Sequence, residues 1–158
     1  MCIRDRVYRR DVSVFPERSV KYGLGSTTAG DMVSILERLL KGELANEEST
    51  KAMIAHLRSN QDKDTFSKLL PRGTKYGYKG GSVDKVRTAA GFIDLEGGPL
   101  FVSVLTSDNN DQSWTEENSA QNLIANITKE AFDRFNRCLL YTSPSPRDRT
   151  RSRMPSSA

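Results

Sequence analysis

Hydrophobic and polar positions in the first half of the chain follow a helical period. Residues 28–31, Thr-Ala-Gly-Asp, have the spacing of a capping box, and apolar residues then recur every three or four positions. Because Gly42 follows as a helix stop, this pattern predicts a helix over residues 29–41. Asn46 and the two glutamates after it predict the start of a second helix, since acidic groups are favoured at helix N-termini.

The pattern changes after Gly73 and predicts three antiparallel strands. Residues 74–79 alternate, with two tyrosines on one face, and residues 86–95 form a second strand that ends in a glycine-rich hairpin turn at 96–98. The third strand, residues 100–106, is apolar almost throughout and is therefore predicted to be central in the sheet.

Two helical segments complete the predicted fold. Residues 64–70 predict a short helical turn that Pro71 ends, and helical spacing returns over residues 116–135. Residues 7–25 show little periodicity and are predicted to form a loop. Two or three helices, a three-stranded antiparallel meander and a C-terminal helix make an α+β domain.

The formal net charge of +4 in 158 residues suggests a nucleic-acid partner until the charges are located. Residues 1–6 carry a net charge of +1 and residues 138–158 a net charge of +3, whereas residues 7–137 hold 18 basic and 18 acidic side chains. We therefore expect no nucleic-acid partner for the central segment. We also expect no membrane span, because no run of about 18 apolar residues occurs.

The two ends of the chain share an origin at the DNA level. One DNA element can encode residues 1–6, and its reverse complement in another frame can encode Cys-Leu-Leu-Tyr-Thr-Ser, as at residues 138–143. This element resembles the transposon end used in sequencing-library adapters. We therefore interpret residues 1–6 and 138–158 as adapter-derived and residues 7–137 as native. A natural basic tail is the alternative.

The sharpest chemical feature is Lys79-Gly80-Gly81-Ser82, at the end of the first predicted strand. Two glycines let a ligand approach a strand closely, and lysine attracts a carboxylate as a compact charge. Backbone N–H groups on a strand edge can also donate to a developing oxyanion. An ordinary glycine-containing turn with a solvated lysine is the alternative.

An ordered set of motifs over residues 26–135 resembles the C-terminal part of the class A β-lactamase-like serine hydrolases. Lys79-Gly80-Gly81 occupies the place of the family's Lys-Thr/Ser-Gly. The other members of the set are a threonine-rich cap at 26–32, a link at 39–44, Leu-Pro-Arg-Gly at 70–73, and Asp84, Val86, Arg87 and Gly91. The resemblance implies a truncated β-lactamase/transpeptidase-like fold and a monomeric parent that is periplasmic or secreted.

The resemblance also implies roles for the candidate substrate-binding residues. Lys79 would hold the substrate carboxylate and tune a proton-shuttling serine, and the backbone N–H of Ser82 would be one oxyanion-hole donor. Arg87 is a weaker candidate for the carboxylate, with a salt bridge to Asp84 or another acid as the alternative. Gly80 departs from the family pattern, because the hydroxyl that would bind the substrate carboxylate is absent.

No catalytic residue is expected within this chain. Ser82-Val83-Asp84-Lys85 and Ser107-Asp108-Asn109 match the family's Ser-x-x-Lys and Ser-Asp-Asn letter for letter, but both come too late in the chain order. We expect the true nucleophile segment upstream of Val7. Glu17 lies in the region of the deacylating base, yet it matches no motif and is better explained as a solvated loop acid.

The sequence predicts no metal site and no cofactor. His56 is the only histidine, and both cysteines lie in the two ends, so the central segment lacks the histidine and cysteine ligands that a zinc site needs. We therefore expect a fragment of a serine β-lactamase-like hydrolase with a small-molecule acyl substrate, inactive by itself. A non-catalytic binding module on the same fold is the alternative, and Gly80 favours it.

Overall fold

The computed structural model describes residues 27–83 and 85–142, with side chains as far as residue 136. The predicted loop at 7–25 and the candidate acid Glu17 lie outside the described residues. So do Asp84 and most of the expected adapter-derived ends. Within the described residues, no helix has the length and apolar character that crossing a membrane requires.

Two N-terminal helices form where the capping pattern predicts them. Helix α1 (Ala29–Leu40) begins with a complete capping box, in which Thr28 Oγ1 accepts from the Asp31 N–H and the Asp31 carboxylate accepts from the Thr28 N–H. Helix α2 (Glu47–Arg58) is capped by Asn46, whose Oδ1 accepts from the Ser49 N–H at 2.8 Å. The predicted helix over residues 29–41 and the predicted helix start at Asn46 are both confirmed. In each case a side-chain oxygen supplies the acceptor that the first N–H groups of the helix need.

Three antiparallel strands follow in the order β1-β2-β3. Strand β1 (Tyr76–Val83) starts two residues later than predicted and runs four residues further, β2 (Val86–Leu95) matches its prediction, and β3 is Gly98–Thr106. The strands β1 and β2 pair from Tyr76 with Ile93 to Val83 with Val86. The predicted short helical turn at 64–70 is present as hydrogen-bonded turns, in which the Lys68 and Leu70 N–H groups each donate to a carbonyl three residues earlier.

The prediction that the third strand is central is wrong for the described sheet. Strand β2 lies between the other two, and β3 is at one edge. The apolar run in β3 has another cause, because helices cover both of its faces. Val102 and Val104 pack with Ile124 of the last helix, and Phe101 packs on the other side against the cluster of Leu36, Ala90 and Phe92. A strand buried on both faces looks continuously apolar wherever it lies in the sheet.

The last helix, α3 (Ser119–Thr142), packs across one face of the sheet. It begins three residues later than predicted, because the Asn118 side chain accepts from the Ala120 and Gln121 N–H groups and fixes the start. Ile124 and Phe132 are buried in the core, whereas Leu123 and Phe135, which the helical period placed on the same apolar face, are about half exposed. The α+β class and the element order are confirmed.

Candidate functional site

The outer edge of β1 presents backbone groups that no strand in the described sheet pairs with. The Asn60 side-chain amide donates to the Tyr78 carbonyl at 3.0 Å, so Tyr78 turns its backbone groups away from β2. Alternate residues of an edge strand turn the same way, which places the backbone groups of Gly80 and Ser82 on this edge as well. The outward N–H of Ser82 therefore has the direction that an oxyanion donor needs.

The Lys79 side chain lies beside this edge and is exposed. Its ammonium group donates to the Gly80 carbonyl, which keeps the charge close to the two glycines. A polar cavity of about 230 Å³ opens at this point. It brings together all five residues predicted from the sequence with four that were not: Lys79, Gly80, Gly81, Ser82 and Arg87, with Asn60, Asp62, Thr65 and Thr88.

Arg87 lines this cavity, but its guanidinium is held by the protein backbone. The side chain is 1% exposed, and it donates to the carbonyl oxygens of Val86 at 2.9 Å and Ser113 at 2.9 Å. The guanidinium carbon also lies 4.8 Å from the centroid of the Trp114 ring. These contacts favour a structural role in which Arg87 fastens the 107–113 loop to the β1–β2 hairpin.

The two glycines differ in what surrounds them. A β-carbon on Gly80 would meet its nearest neighbours at 3.7 Å, so the space accepts a β-carbon there. A β-carbon on Gly81 would lie 2.8 Å from Thr88 Oγ1, directly across the strand pair. The hydroxyl missing at position 80 is therefore not excluded by crowding.

Sequence reasoning missed four residues that line the cavity, namely Asn60, Asp62, Thr65 and Thr88. Asp62 lies in a polar segment that has no period, and nothing in that pattern shows that the segment returns to β1. Thr88 lies on the predicted second strand, but the first strand was predicted to end at residue 79, so its pairing with Gly81 emerges only in the structure. Its hydroxyl donates to the Gly81 carbonyl at 3.3 Å, and it lines a second cavity of about 520 Å³ on the α1 side of β1.

Both letter-for-letter catalytic matches occupy structural positions. Ser82 lies on β1 and Lys85 in the following turn, so the helical spacing that brings the two groups together in Ser-x-x-Lys is absent. The Asn109 amide donates to the Lys85 carbonyl at 2.8 Å and to Thr106 Oγ1 at 2.9 Å. These hydrogen bonds use the Asn109 amide to hold two turns together. Neither the Ser82–Lys85 pair nor the Ser107–Asn109 segment is therefore arranged for proton transfer.

Other polar side chains near the site are arranged for structure. Burial, together with the nearby Asp62, raises the pKa of Tyr78, so its phenol stays protonated and donates to the Asp62 carbonyl. His56 is exposed on α2. In the described part of the chain, no three His, Cys, Asp or Glu side chains form a group that could hold a metal ion.

Comparison with known proteins points to one family. A model of the beta-lactamase enzyme family matches residues 3–135. The β-lactamase from Sphaerobacter thermophilus is 29% identical with a TM-score of 0.58, over 68% of this chain and 40% of that chain. The TLA-1 extended-spectrum β-lactamase is 26% identical with a TM-score of 0.60, over 70% of this chain and 42% of that one.

A class A β-lactamase from Bacteroides cellulosilyticus supports the fold. Its TM-score is 0.64 at 22% identity, over 79% of this chain and 47% of that chain. The present chain thus spans between 40% and 47% of the length of these three structures. No curated protein matches the chain.

Proposed function

The chain belongs to the beta-lactamase enzyme family, and from this premise we propose that it forms one side of the acyl-binding pocket of a class A serine β-lactamase-like hydrolase. The substrate is a β-lactam or a related amide or ester. The observation that carries this proposal is the outward edge of β1, where the Lys79 ammonium lies next to the outward backbone of Gly80 and Ser82.

Two groups on this edge suit acyl transfer. Lys79 attracts the carboxylate of the substrate, and the Ser82 N–H donates to the acyl oxygen as negative charge develops on it. In such a reaction a serine attacks the acyl carbonyl, the amide C–N bond breaks, and water then hydrolyses the acyl-enzyme. The attacking serine comes from outside this chain, so the chain alone turns over no substrate.

A non-catalytic binding module is the second candidate. Gly80 favours it, because the family's hydroxyl at this position is absent although the space would accept its β-carbon. Reading the genomic DNA upstream of Val7 decides between the two candidates. A Ser-x-x-Lys segment there supports the hydrolase, and its absence from the complete gene supports the binding module.

The pocket itself is tested by titrating the full chain with benzylpenicillin while the backbone amide resonances are recorded. We expect the largest shifts at Gly80, Gly81 and Ser82, and we expect Lys79→Met to weaken binding several-fold. Lys75→Met is the matched control, because Lys75 lies on the same face just before β1 and does not line the cavity. Equal effects of the two substitutions would contradict the proposed role of Lys79.

Nitrocefin turnover tests the proposal that the chain alone is inactive. We expect none from the purified chain. Turnover that Ser82→Ala abolishes would show that Ser82 is a nucleophile and would overturn it.

A further inference from the structure

We propose that Asp62 forms an ammonium-binding subsite beside Gly80, so that the pocket takes a ligand carrying a cationic amino group. We call the group Asn60, Asp62, Thr65 and Gly80 the Asp62 subsite. As a statement about substrates, this inference rests on the proposed function. As a statement about the cavity, it rests on the geometry of the subsite alone.

Gly80 leaves an open volume beside Asp62. A β-carbon there would lie 3.7 Å from Asp62 Oδ2, 3.7 Å from the Thr88 carbonyl oxygen and 3.7 Å from Tyr78 Cε2. These are ordinary contact distances, so the glycine leaves space for one carbon-sized group, and Gly80 lines the polar cavity of about 230 Å³. A ligand group that enters it comes into contact with the Asp62 carboxylate.

Two hydrogen bonds fix the orientation of the Asp62 carboxylate. Thr65 Oγ1 donates to Asp62 Oδ2 at 3.0 Å, and the Asp64 N–H donates to Asp62 Oδ1 at 2.9 Å. An ionised carboxylate offers about four acceptor positions, so each oxygen keeps capacity for a further donor. No lysine or arginine among the described residues forms an ion pair with Asp62.

The charges of Lys79 and Asp62 lie at separate positions in the cavity. Successive side chains of a strand point to opposite faces, so Lys79 and the open volume at Gly80 lie on different faces of β1. A carboxylate that entered the open volume would meet a like charge at Asp62, whereas an ammonium group would be attracted. A zwitterionic ligand satisfies both positions, with its carboxylate at Lys79 and its ammonium at Asp62.

The cavity is tested on the full chain with two small probes at equal ionic strength, methylammonium and acetate. We expect methylammonium to shift the Gly80 amide resonance more than acetate does, and we expect Asp62→Asn to abolish the difference. Asp64→Asn is the matched control, since Asp64 does not line the cavity, and it should leave the difference intact. An equal or larger response to acetate in the unmodified chain overturns the proposal without reference to any variant.

The substrate class is tested with benzylpenicillin and its α-amino derivative ampicillin at a pH where the amine is protonated. We expect ampicillin to bind about two- to five-fold more tightly, which is the size of one solvent-accessible ion pair, and Asp62→Asn to remove the preference. Equal affinities would overturn the ammonium-bearing substrate class. If neither penicillin binds while methylammonium does, the proposed function fails and the Asp62 subsite stands.

Discussion

Tyr78 and Gly91 face each other across β1 and β2 so closely that no side chain fits on the glycine. A β-carbon at position 91 would lie 2.4 Å from Tyr78 Cβ and 2.6 Å from the Gly77 carbonyl oxygen. This closeness lets the Tyr78 ring stack on Phe66 with the ring centroids 4.9 Å apart. Because Lys79 follows Tyr78 directly, the pair fixes the position of the strand that carries the candidate site.

Gly91→Ala is therefore expected to destabilise the protein strongly. One of the clashing atoms belongs to the backbone of β1 and cannot rotate away, so we expect a loss of about 3 kcal/mol in the free energy of unfolding, measured by urea denaturation. Gly80→Ala in the same hairpin is the control and should change this free energy by less than about 1 kcal/mol. A loss at position 91 no larger than the loss at position 80 would contradict the packing described here.

Thr28→Ala should cost about 1 kcal/mol of stability, because it removes the acceptor that caps α1. Thr27→Ala is the control, since the Thr27 hydroxyl only donates to the neighbouring Thr28 carbonyl at 3.4 Å. Thermal unfolding followed by circular dichroism measures both. Equal losses would mean that the capping box contributes nothing specific.

Local signals predicted most of the fold. The capping residues and the glycine turn act over a few positions, so the starts of α1 and α2 and the hairpin between β2 and β3 follow from the sequence. The order of strands depends on which elements cover each face, and an apolar run in β3 does not carry that information. Likewise, the exposed Leu123 and Phe135 share a helical period with Ile124, and only the packed structure shows which of them meets the sheet.

Arg87→Lys tests whether the guanidinium is structural. Lysine keeps one charge but donates from a single nitrogen, whereas two different guanidinium nitrogens of Arg87 bond the Val86 and Ser113 carbonyls, so we expect a loss of about 2 kcal/mol and faster proteolysis of the 107–113 loop. Arg72→Lys, at an exposed position, is the control. If Arg87→Lys weakened benzylpenicillin binding while stability and proteolysis stayed unchanged, Arg87 would be a substrate contact instead.

Asp111 should make the protein acid-sensitive. Hydrogen bonds from the Ser113 side chain, and then from the backbone N–H groups of Ser119 and Ser113, lower the pKa of Asp111 from 3.8 to about 2. Because folding lowers this pKa, the stabilising contribution is complete above about pH 4 and is lost as the pH falls through 2. Asp111→Asn should make the melting temperature depend less steeply on pH in this range. Asp108→Asn, in the same loop, should leave the pH dependence of the melting temperature as in the wild type.

The candidate site could be predicted only as far as it is continuous in the sequence. Lys79-Gly80-Gly81-Ser82 is one continuous segment, so its chemistry can be predicted without knowledge of the fold. Asp62 reaches the same cavity through a turn that returns along β1, held by the hydrogen bond from Asn60 to the Tyr78 carbonyl. Long-range contacts of this kind leave no local sequence pattern, so the position of Asp62 beside Gly80 could not be predicted from the sequence.

The uncharged edge strand β3 should make the protein self-associate. In the described sheet no strand pairs with its outer side, and none of its nine residues is charged. An unpaired apolar edge is a template for pairing with another chain, so we expect light scattering to rise with protein concentration.

Leu105→Lys should reduce that scattering, because a lysine on the edge strand opposes pairing with a second strand. Leu105 is 37% exposed, and Leu69, at 40% exposed, offers a matched position away from β3. The two substitutions add the same charge, so any difference between them reports the edge strand and not general solubility. If Leu69→Lys suppressed association as well as Leu105→Lys did, net charge alone would explain the effect and the edge-pairing account would be wrong.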